Sequence, residues 1–365
     1  MNFILIASLI SFFGTLLVMP FVIKLAINKR FLVGGGGRNA HEGFTPNVGG
    51  MAIFGGLLLA NQYILFYFFD SYQNFEIFSN EFETQIKAYL IMTAGSIIMF
   101  VMGLLDDISE LSFYLRFFVQ LLVATLAVYL GDFRISDFHG VLGLYELPYL
   151  FSVIFSISVI IFIINSFNLT DGLDSLAASL GLFILISFAI IFYCNGKYYD
   201  CTLACAGFSS LLAFWLYNKP PARIFMGDGG SLMIGFIIAC CAIRACSMKI
   251  EPSGVINPVF ILCILAYPSV DTLRVFLVRI LSGKPPFSAD RNHIHHLLVD
   301  KDFNHGWASF FAVMYSAVLT GICYLIVEYV TLSFYIMVSL AILFIVLPMA
   351  SFARSTTMKL LSFFK

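Results

Sequence analysis

The 365-residue sequence predicts an all-α polytopic membrane helical bundle of about eleven transmembrane helices, with the N-terminus outside and the C-terminus cytoplasmic. Three features predict it. Hydrophobic residues make up 60% of the chain and charged residues 11%, with a mean hydropathy of +0.95, which is more apolar surface than a soluble core buries. Apolar runs recur at the length that matters, since a hydrocarbon core about 30 Å thick needs roughly 20 residues of helix. Lysine and arginine gather in alternate loops, and that bias orients a bundle.

The apolar segments centre on residues 2–27, 48–69, 86–105, 113–131, 150–167, 173–193, 201–217, 228–248, 256–281, 307–329 and 331–353. The first lacks a basic leading region and an A-x-A-like cleavage site and is too long for a signal peptide, so it is expected to remain as a helix. The third ends on acidic residues, the fifth and sixth flank a polar run, and Pro220–Pro221 closes the seventh. The short gap near Tyr329 and the 173–193 boundary leave ten helices as the alternative count.

Eleven spans put Lys24, Lys29, Arg30, Arg38, Arg116, Lys219, Arg223, Arg274, Arg279, Lys284, Arg291, Lys301, Arg354, Lys359 and Lys365 on one side. Lys87, Arg134, Lys197, Arg244 and Lys249 fall on the other. The richer side is cytoplasmic by the positive-inside rule, so the loops after helices 1, 3, 5, 7 and 9 face the cytoplasm. The net charge of -1 conceals this segregation and gives no ground for a nucleic-acid partner. The eight cysteines form neither a CxxC pair nor a loop framework and read as small buried hydrophobes. No internal repeat or soluble segment appears, which makes residues 1–365 a single membrane domain.

Four polar clusters fall on the cytoplasmic side. Residues 103–116 (GLLDDISELSFYLR) place Asp106, Asp107 and Glu110 at a helix end, where adjacent carboxylates repel unless a cation offsets them. Residues 165–175 (NSFNLTDGLDS) interrupt apolar sequence with Asn165, Asn168, Thr170, Asp171 and Asp174. If that turn is helical, Asp171 and Asp174 share a face. An aspartate at membrane depth costs roughly 2.5–3.5 kcal/mol on insertion scales, more than a cap returns. Residues 220–231 (PPARIFMGDGGS) open a helix whose N–H groups could meet phosphate, or which Asp228 simply caps. Residues 285–296 (PPFSADRNHIHH) lie in a basic loop, and Arg291 with imidazoles suits a pyrophosphate. Three histidines invite zinc, but no cysteine neighbours them and the acids elsewhere are hard oxygen ligands. Asp271, inside the ninth segment, reads as the partner of Arg274 three residues on.

Carboxylates, amides, helix starts and a basic loop on one face are what a metal-assisted reaction of a polyanion requires. These runs, in this order over residues 41–296, resemble the polyprenyl-phosphate N-acetylhexosamine-1-phosphate transferase family, glycosyltransferase family 4. The H-I-H-H form after Asp290, Arg291 and Asn292 is similar to its WecA-type branch, which uses UDP-N-acetylglucosamine and undecaprenyl phosphate.

The resemblance implies a bacterial inner-membrane enzyme, its active site facing the cytoplasm, that starts lipid-linked cell-surface glycan synthesis. The lipid phosphate attacks the β-phosphate of a UDP-sugar and UMP leaves. It implies Mg²⁺, with Mn²⁺ as the alternative, held by Asn168 and Asp228, and catalytic acids Asp106, Asp107, Asp171 and Asp174. The implied substrate-binding residues are Asn165, Asn168, Gly172, Leu173, Phe225, Arg291, His293, His295 and His296. Of these Gly172, Leu173 and Phe225 would line a uridine pocket with Asp174. Asp171 would organise the pyrophosphate, and Arg291 with the histidines would hold sugar and phosphate. Partners are then a UDP-sugar, a polyprenyl phosphate, the membrane and a second copy of the chain in a homodimer.

A phosphate monoester has a second pKa of about 6, so it is mostly dianionic at neutral pH and gains little from a base. Asp106 and Asp107 are therefore expected to position lipid phosphate and metal rather than to abstract a proton. Two departures from the family pattern stand out: residues 34–41 (GGGGRNAH) lack the Pro, Asp and Lys that usually fill the first cytoplasmic loop, and Ser175 stands where glycine is common. A secondary transporter is the competing class, but its site is expected near the midplane between repeats.

Overall fold

Lipid offers no partner to backbone N–H and C=O groups, so each apolar run must satisfy its own by coiling into a helix. The computed structural model describes residues 2–29, 32–33, 45–74, 80–246, 248–250, 254–255, 258–283, 285, 292–326, 329, 332–342 and 344. The helices are α1 (Asn2–Lys29), α2 (Gly50–Asn74), α3 (Asn80–Ser109), α4 (Phe113–Gly131), α5 (Tyr149–Asn168) and α6 (Leu176–Cys194). They continue with α7 (Tyr198–Asn218), α8 (Gly227–Ala245), α9 (Pro258–Ile264), α10 (Ala266–Leu281), α11 (Ile294–Val299) and α12 (His305–Leu325). Among the described residues the paired strands are two antiparallel ladders, Leu32–Val33 with Thr45–Pro46 and Lys249–Ile250 with Gly254–Val255.

Nine of these helices are long and apolar enough to cross a membrane, and α9 with α10 would make a tenth. The expected count of about eleven is thus not reached among the described residues. The eleventh segment, 331–353, is described as helix only over Leu332–Ile342 and lies otherwise outside them.

The expected continuous helix over 256–281 is also corrected, because α9 and α10 meet at an 85° bend. Pro268 explains the break. It has no N–H to give the Ile264 carbonyl four residues back, and its ring would collide with that oxygen. Beyond the bend, α10 buries Asp271, Arg274 and Arg279 and exposes Leu273, Leu277, Ile280 and Leu281.

The bundle is organised around α8, whose residues are nearly all buried and which packs chiefly on α3 and α5, with α2, α6 and α7 around it. Glycine allows the approach. A Cβ on Gly50 would lie 2.2 Å from the Gly230 nitrogen, and one on Gly103 would lie 2.3 Å from the Asp228 carbonyl oxygen. Buried hydroxyls join α1 to α7, with Ser11 donating to the Ala206 carbonyl at 2.7 Å and Thr15 meeting Ser210 at 2.8 Å.

Gly50→Ala and Gly103→Ala are each expected to lower the melting temperature in detergent, through an overpacking cost of about 1–3 kcal/mol. Gly321→Ala, whose added Cβ meets nothing within 4 Å, is the control and should not lower it. Unchanged midpoints in the first two would show that α8 does not touch α2 and α3 through backbone.

Candidate active site

A helix begins with N–H groups that lack intrahelical acceptors, and in α8 those acceptors arrive from distant sequence. The Gly227 N–H donates to Asp171 Oδ2 at 2.9 Å, the Asp228 N–H to Asp107 Oδ1 at 2.9 Å and the Gly229 N–H to Asp107 Oδ2 at 3.0 Å. Two expectations are corrected here. Asp228 does not cap its own helix, and these three N–H groups already have carboxylate acceptors instead of waiting for phosphate. The positive end of the helix dipole favours both carboxylates.

Asp228 lies one residue into α8, its carboxylate held by Asn168, which donates to Asp228 Oδ1 at 2.7 Å and to Ser231 Oγ at 2.8 Å. Ser231 donates in turn to the Gly227 carbonyl at 2.9 Å. Asn47, which sequence reasoning missed, donates to Asp107 at 3.2 Å. Asp106 is buried and closes the end of α3. It accepts from the Leu111 N–H at 2.7 Å and pairs with Arg116 at 2.8 Å. Asn165 is turned away from this group. Its amide donates to Gln120 at 2.7 Å and to the Ile161 carbonyl at 2.8 Å, tying α5 to α4.

Asp107, Asp171 and Asp228 therefore share one site, while the nearby Arg116 guanidinium is bound to Asp106. Burial, then the negative charges of Asp228 and Asp107, push the Asp171 carboxyl up to about 8 against the Gly227 hydrogen bond. Hard oxygen ligands with uncompensated charge fit a divalent cation such as Mg²⁺.

The run between α5 and α6 is a succession of turns, so the helical condition under which Asp171 and Asp174 would share a face is not met. Asp171 turns to α8. Asp174 turns the other way, accepting from the Ala222 N–H at 3.2 Å and facing His305 Nδ1 at 3.3 Å. Burial would raise the Asp174 carboxyl, but the hydrogen bond and charge of His305 hold it below its ordinary value. His305, in the first turn of α12, is a second residue that sequence reasoning missed. Ser175 occupies the left-handed region at φ 64, which explains the glycine common there, and its hydroxyl meets Ser309 at 3.1 Å.

Gly172 is exposed and Leu173 buried; a Cβ on Gly172 would come within 3.0 Å of His295 Nε2 and 3.5 Å of His296 Nε2. Phe225 is half-buried, its backbone N–H donating to the Pro46 carbonyl at 2.8 Å. The histidine run and the 169–175 turn thus face one another. Arg291, expected beside the histidines, lies outside the described residues, as do Asp290 and Gly34 to Gly37.

Asp271 is not merely the partner of Arg274. Its Oδ2 accepts from His293 Nδ1 at 2.8 Å and its Oδ1 from the Ile294 N–H at 3.0 Å, with Arg274 Nη2 at 3.3 Å. Asp271, His293 and His295 offer atoms within 4.8 Å of one another, a spacing three metal ligands can have. The Arg274 guanidinium already neutralises that carboxylate and would repel a dication, which makes the trio a hydrogen-bonded network. Burial lowers His295 to about 3, so its ring is neutral.

Residues 89–246 match the description Glycosyl transferase family 4. A relative from Bacillus subtilis named probable undecaprenyl-phosphate N-acetylglucosaminyl 1-phosphate transferase is 31% identical over 83% of this chain and 79% of its own length. The chain belongs to glycosyltransferase family 4. Undecaprenyl-phosphate α-N-acetylglucosaminyl 1-phosphate transferases of Yersinia pestis and Escherichia coli O157:H7 are 28% and 26% identical. They align over 78% and 88% of this chain and 74% and 84% of theirs. As a family 4 member the protein is a multi-pass membrane phosphoglycosyltransferase, which removes the transporter reading.

The raised Asp171 pKa carries a sign. Its contribution to stability is complete below the ordinary 3.8 and is lost as pH climbs through about 8. The metal-free protein is therefore expected to melt at lower temperature as pH rises across neutrality, with Mg²⁺ restoring part of the loss. Asp171→Asn, which keeps an acceptor for Gly227, should flatten the slope, and an unaltered slope would remove Asp171 as its source. Asp107→Ala should lower stability by about 0.5–2 kcal/mol for the lost cap, whereas Asp228→Ala should change melting little.

Proposed function

We propose that this family 4 transferase moves N-acetylglucosamine 1-phosphate, or a related 2-acetamido sugar 1-phosphate, from its UDP-sugar to undecaprenyl phosphate at the cytoplasmic face of a bacterial inner membrane. The observation that carries this reading is the convergence of Asp107, Asp171 and Asp228 with Asn168 at the start of α8. The names of the relatives supply the substrates. The segregation of basic residues supports a cytoplasmic site.

A phosphate oxygen of the lipid attacks the β-phosphorus of the UDP-sugar. A new P–O bond forms, the bond from that phosphorus to the bridging oxygen breaks, and UMP leaves with the electron pair. The product is a lipid-linked sugar pyrophosphate, the first intermediate of a cell-surface glycan. Bound Mg²⁺ supplies Lewis-acid stabilisation of the charge on the transferring phosphate and the leaving UMP. Asp228 and Asn168 would hold it, with Asp171 adjoining.

Asp107 acts through position, since its oxygens fix the α8 turn that presents Asp228. Asp106, held by Arg116, maintains the end of α3 beside it. Neither is needed as a base, because the attacking phosphate is mostly dianionic above its second pKa of about 6. Gly172, Leu173, Asp174 and Phe225 form the uridine side. His293, His295 and His296 form the side that meets sugar and phosphate, and Arg291, assigned by the resemblance alone, would add its charge there. Starting lipid-linked glycan synthesis is the cellular role that follows.

The test is transfer of radiolabelled sugar from UDP-N-acetylglucosamine to undecaprenyl phosphate by purified protein, with and without Mg²⁺, beside Asp228→Ala. Lipid-linked product that needs Mg²⁺ and falls by about a hundredfold or more in the variant is expected, the scale of losing a group that stabilises transition-state charge. Absence of product with every UDP-sugar would sink the reading.

A further inference from the structure

The first turn of α12 closes on the turn between α5 and α6 at three points. His305 Nδ1 stands 3.3 Å from Asp174 Oδ2, and the Ser309 hydroxyl lies 3.2 Å from the Asp174 carbonyl and 3.1 Å from the Ser175 hydroxyl. From the other side the Ala222 N–H donates to the same Oδ2 at 3.2 Å. Asn218 Oδ1 accepts from the Ser175 N–H at 2.9 Å, and its amide donates to the Ile224 carbonyl at 2.8 Å. Residues 174 and 175 are thus clamped between α12 and the α7–α8 connection.

The members of this clamp differ in kind. Ser175, Asn218 and Ser309 are buried and engage backbone or one another, which braces the turn. The Asp174 and His305 side chains are 14% and 38% exposed, so their pair stands at the open edge of the clamp. Water screens such a pair and leaves it little to give to stability. What it does give is orientation. Both the imidazolium and the neutral ring protonated at Nδ1 present an N–H to the carboxylate, so the contact needs only that proton. With Oδ2 met by His305 and by the Ala222 N–H, the carboxylate has one setting.

We infer that His305 is a positioning residue of the transfer reaction, holding the Asp174 carboxylate in the setting that receives the uridine of the donor. This rests on the transfer reading given above, in which Asp174 belongs to the uridine side. The first turn of α12 then sets nucleotide affinity without touching the substrate. Its effect falls on the part that UMP shares with the donor, and neither on the sugar nor on the lipid.

The experiment compares wild type with His305→Leu, His305→Asn, Asp174→Asn and the double variant His305→Leu/Asp174→Asn. The readouts are the transfer assay, inhibition by UMP and thermal unfolding. His305→Leu is expected to raise the donor KM and the UMP inhibition constant together by about fivefold, the scale of one ordinary hydrogen bond. The lipid phosphate KM should stay within about twofold and the melting temperature near wild type, since the pair is partly exposed. His305→Asn, whose amide nitrogen falls near the Nδ1 position, should bring both constants back to within about twofold. In the Asp174→Asn background His305→Leu should add nothing, because coupling between contacting residues vanishes with either partner. If Asp174→Asn is too slow to assay, the two single His305 variants decide alone.

A histidine that merely braces α12 would instead lower the melting temperature, carry its loss unchanged into the Asp174→Asn background, or spread that loss to the lipid phosphate. Any of those results, or an unchanged donor KM and UMP inhibition in His305→Leu, overturns the inference while leaving the transfer reading intact. Wild-type protein that turns over no UDP-sugar would overturn both.

Discussion

The first turn of α8 is the constraint on which the rest depends. A helix that starts inside a protein needs acceptors for its leading N–H groups, and here Asp107 from α3 and Asp171 from the α5–α6 connection provide them. The same bonds that complete a backbone gather acids from three parts of the chain. Once Asp107 and Asp171 are fixed there, Asp228 has no freedom to avoid them, and Asn168 holds it in place. Concentrated negative charge is thus a by-product of helix capping, and it makes the site receptive to a cation and, through it, to phosphates.

Much of this was legible in the chain. Length and hydropathy revealed the helices because lipid leaves the backbone no alternative, and the four polar runs stood out because charge at membrane depth is costly. What the sequence concealed was partnership. Nothing local shows that Asp107 caps α8 or that Asp174 meets His305, because those contacts depend on how helices pack. Asn165 and Asn168 sit in one motif, yet one turn of helix sends the first to Gln120 and the second to Asp228. Asp271 read as an ion-pair partner because Arg274 lies three residues away, while its histidine partner comes from beyond the loop. The bend at Leu265 was hidden for a different reason: Pro268 was visible, but apolar content alone made 256–281 look continuous.

Two kinds of acid follow from these environments. Asp106 and Asp271 each face a guanidinium and maintain local structure, one at the end of α3 and one under the histidine run. Asp107, Asp171 and Asp228 form no ion pair with a guanidinium among the described residues, and Arg116 acts on Asp228 only at longer range past Asp106. Division of labour among the acids of this family 4 enzyme is therefore set by where arginine stands. Sequence motifs alone place all of them in one class.

The sheathing of α8 contrasts with the exposure of α10. Because α8 is wrapped by other helices, bilayer thickness and lateral pressure reach the acid cluster only through intervening protein. The elbow at Leu265 has no such shield. Past it, α10 leaves Leu273, Leu277, Ile280 and Leu281 exposed while its opposite face buries Asp271, to which His293 is bound. Membrane composition thus has a mechanical lever on the Asp271–histidine side and little purchase on the acid cluster, so a thinner or more fluid bilayer should be felt at the histidine run first.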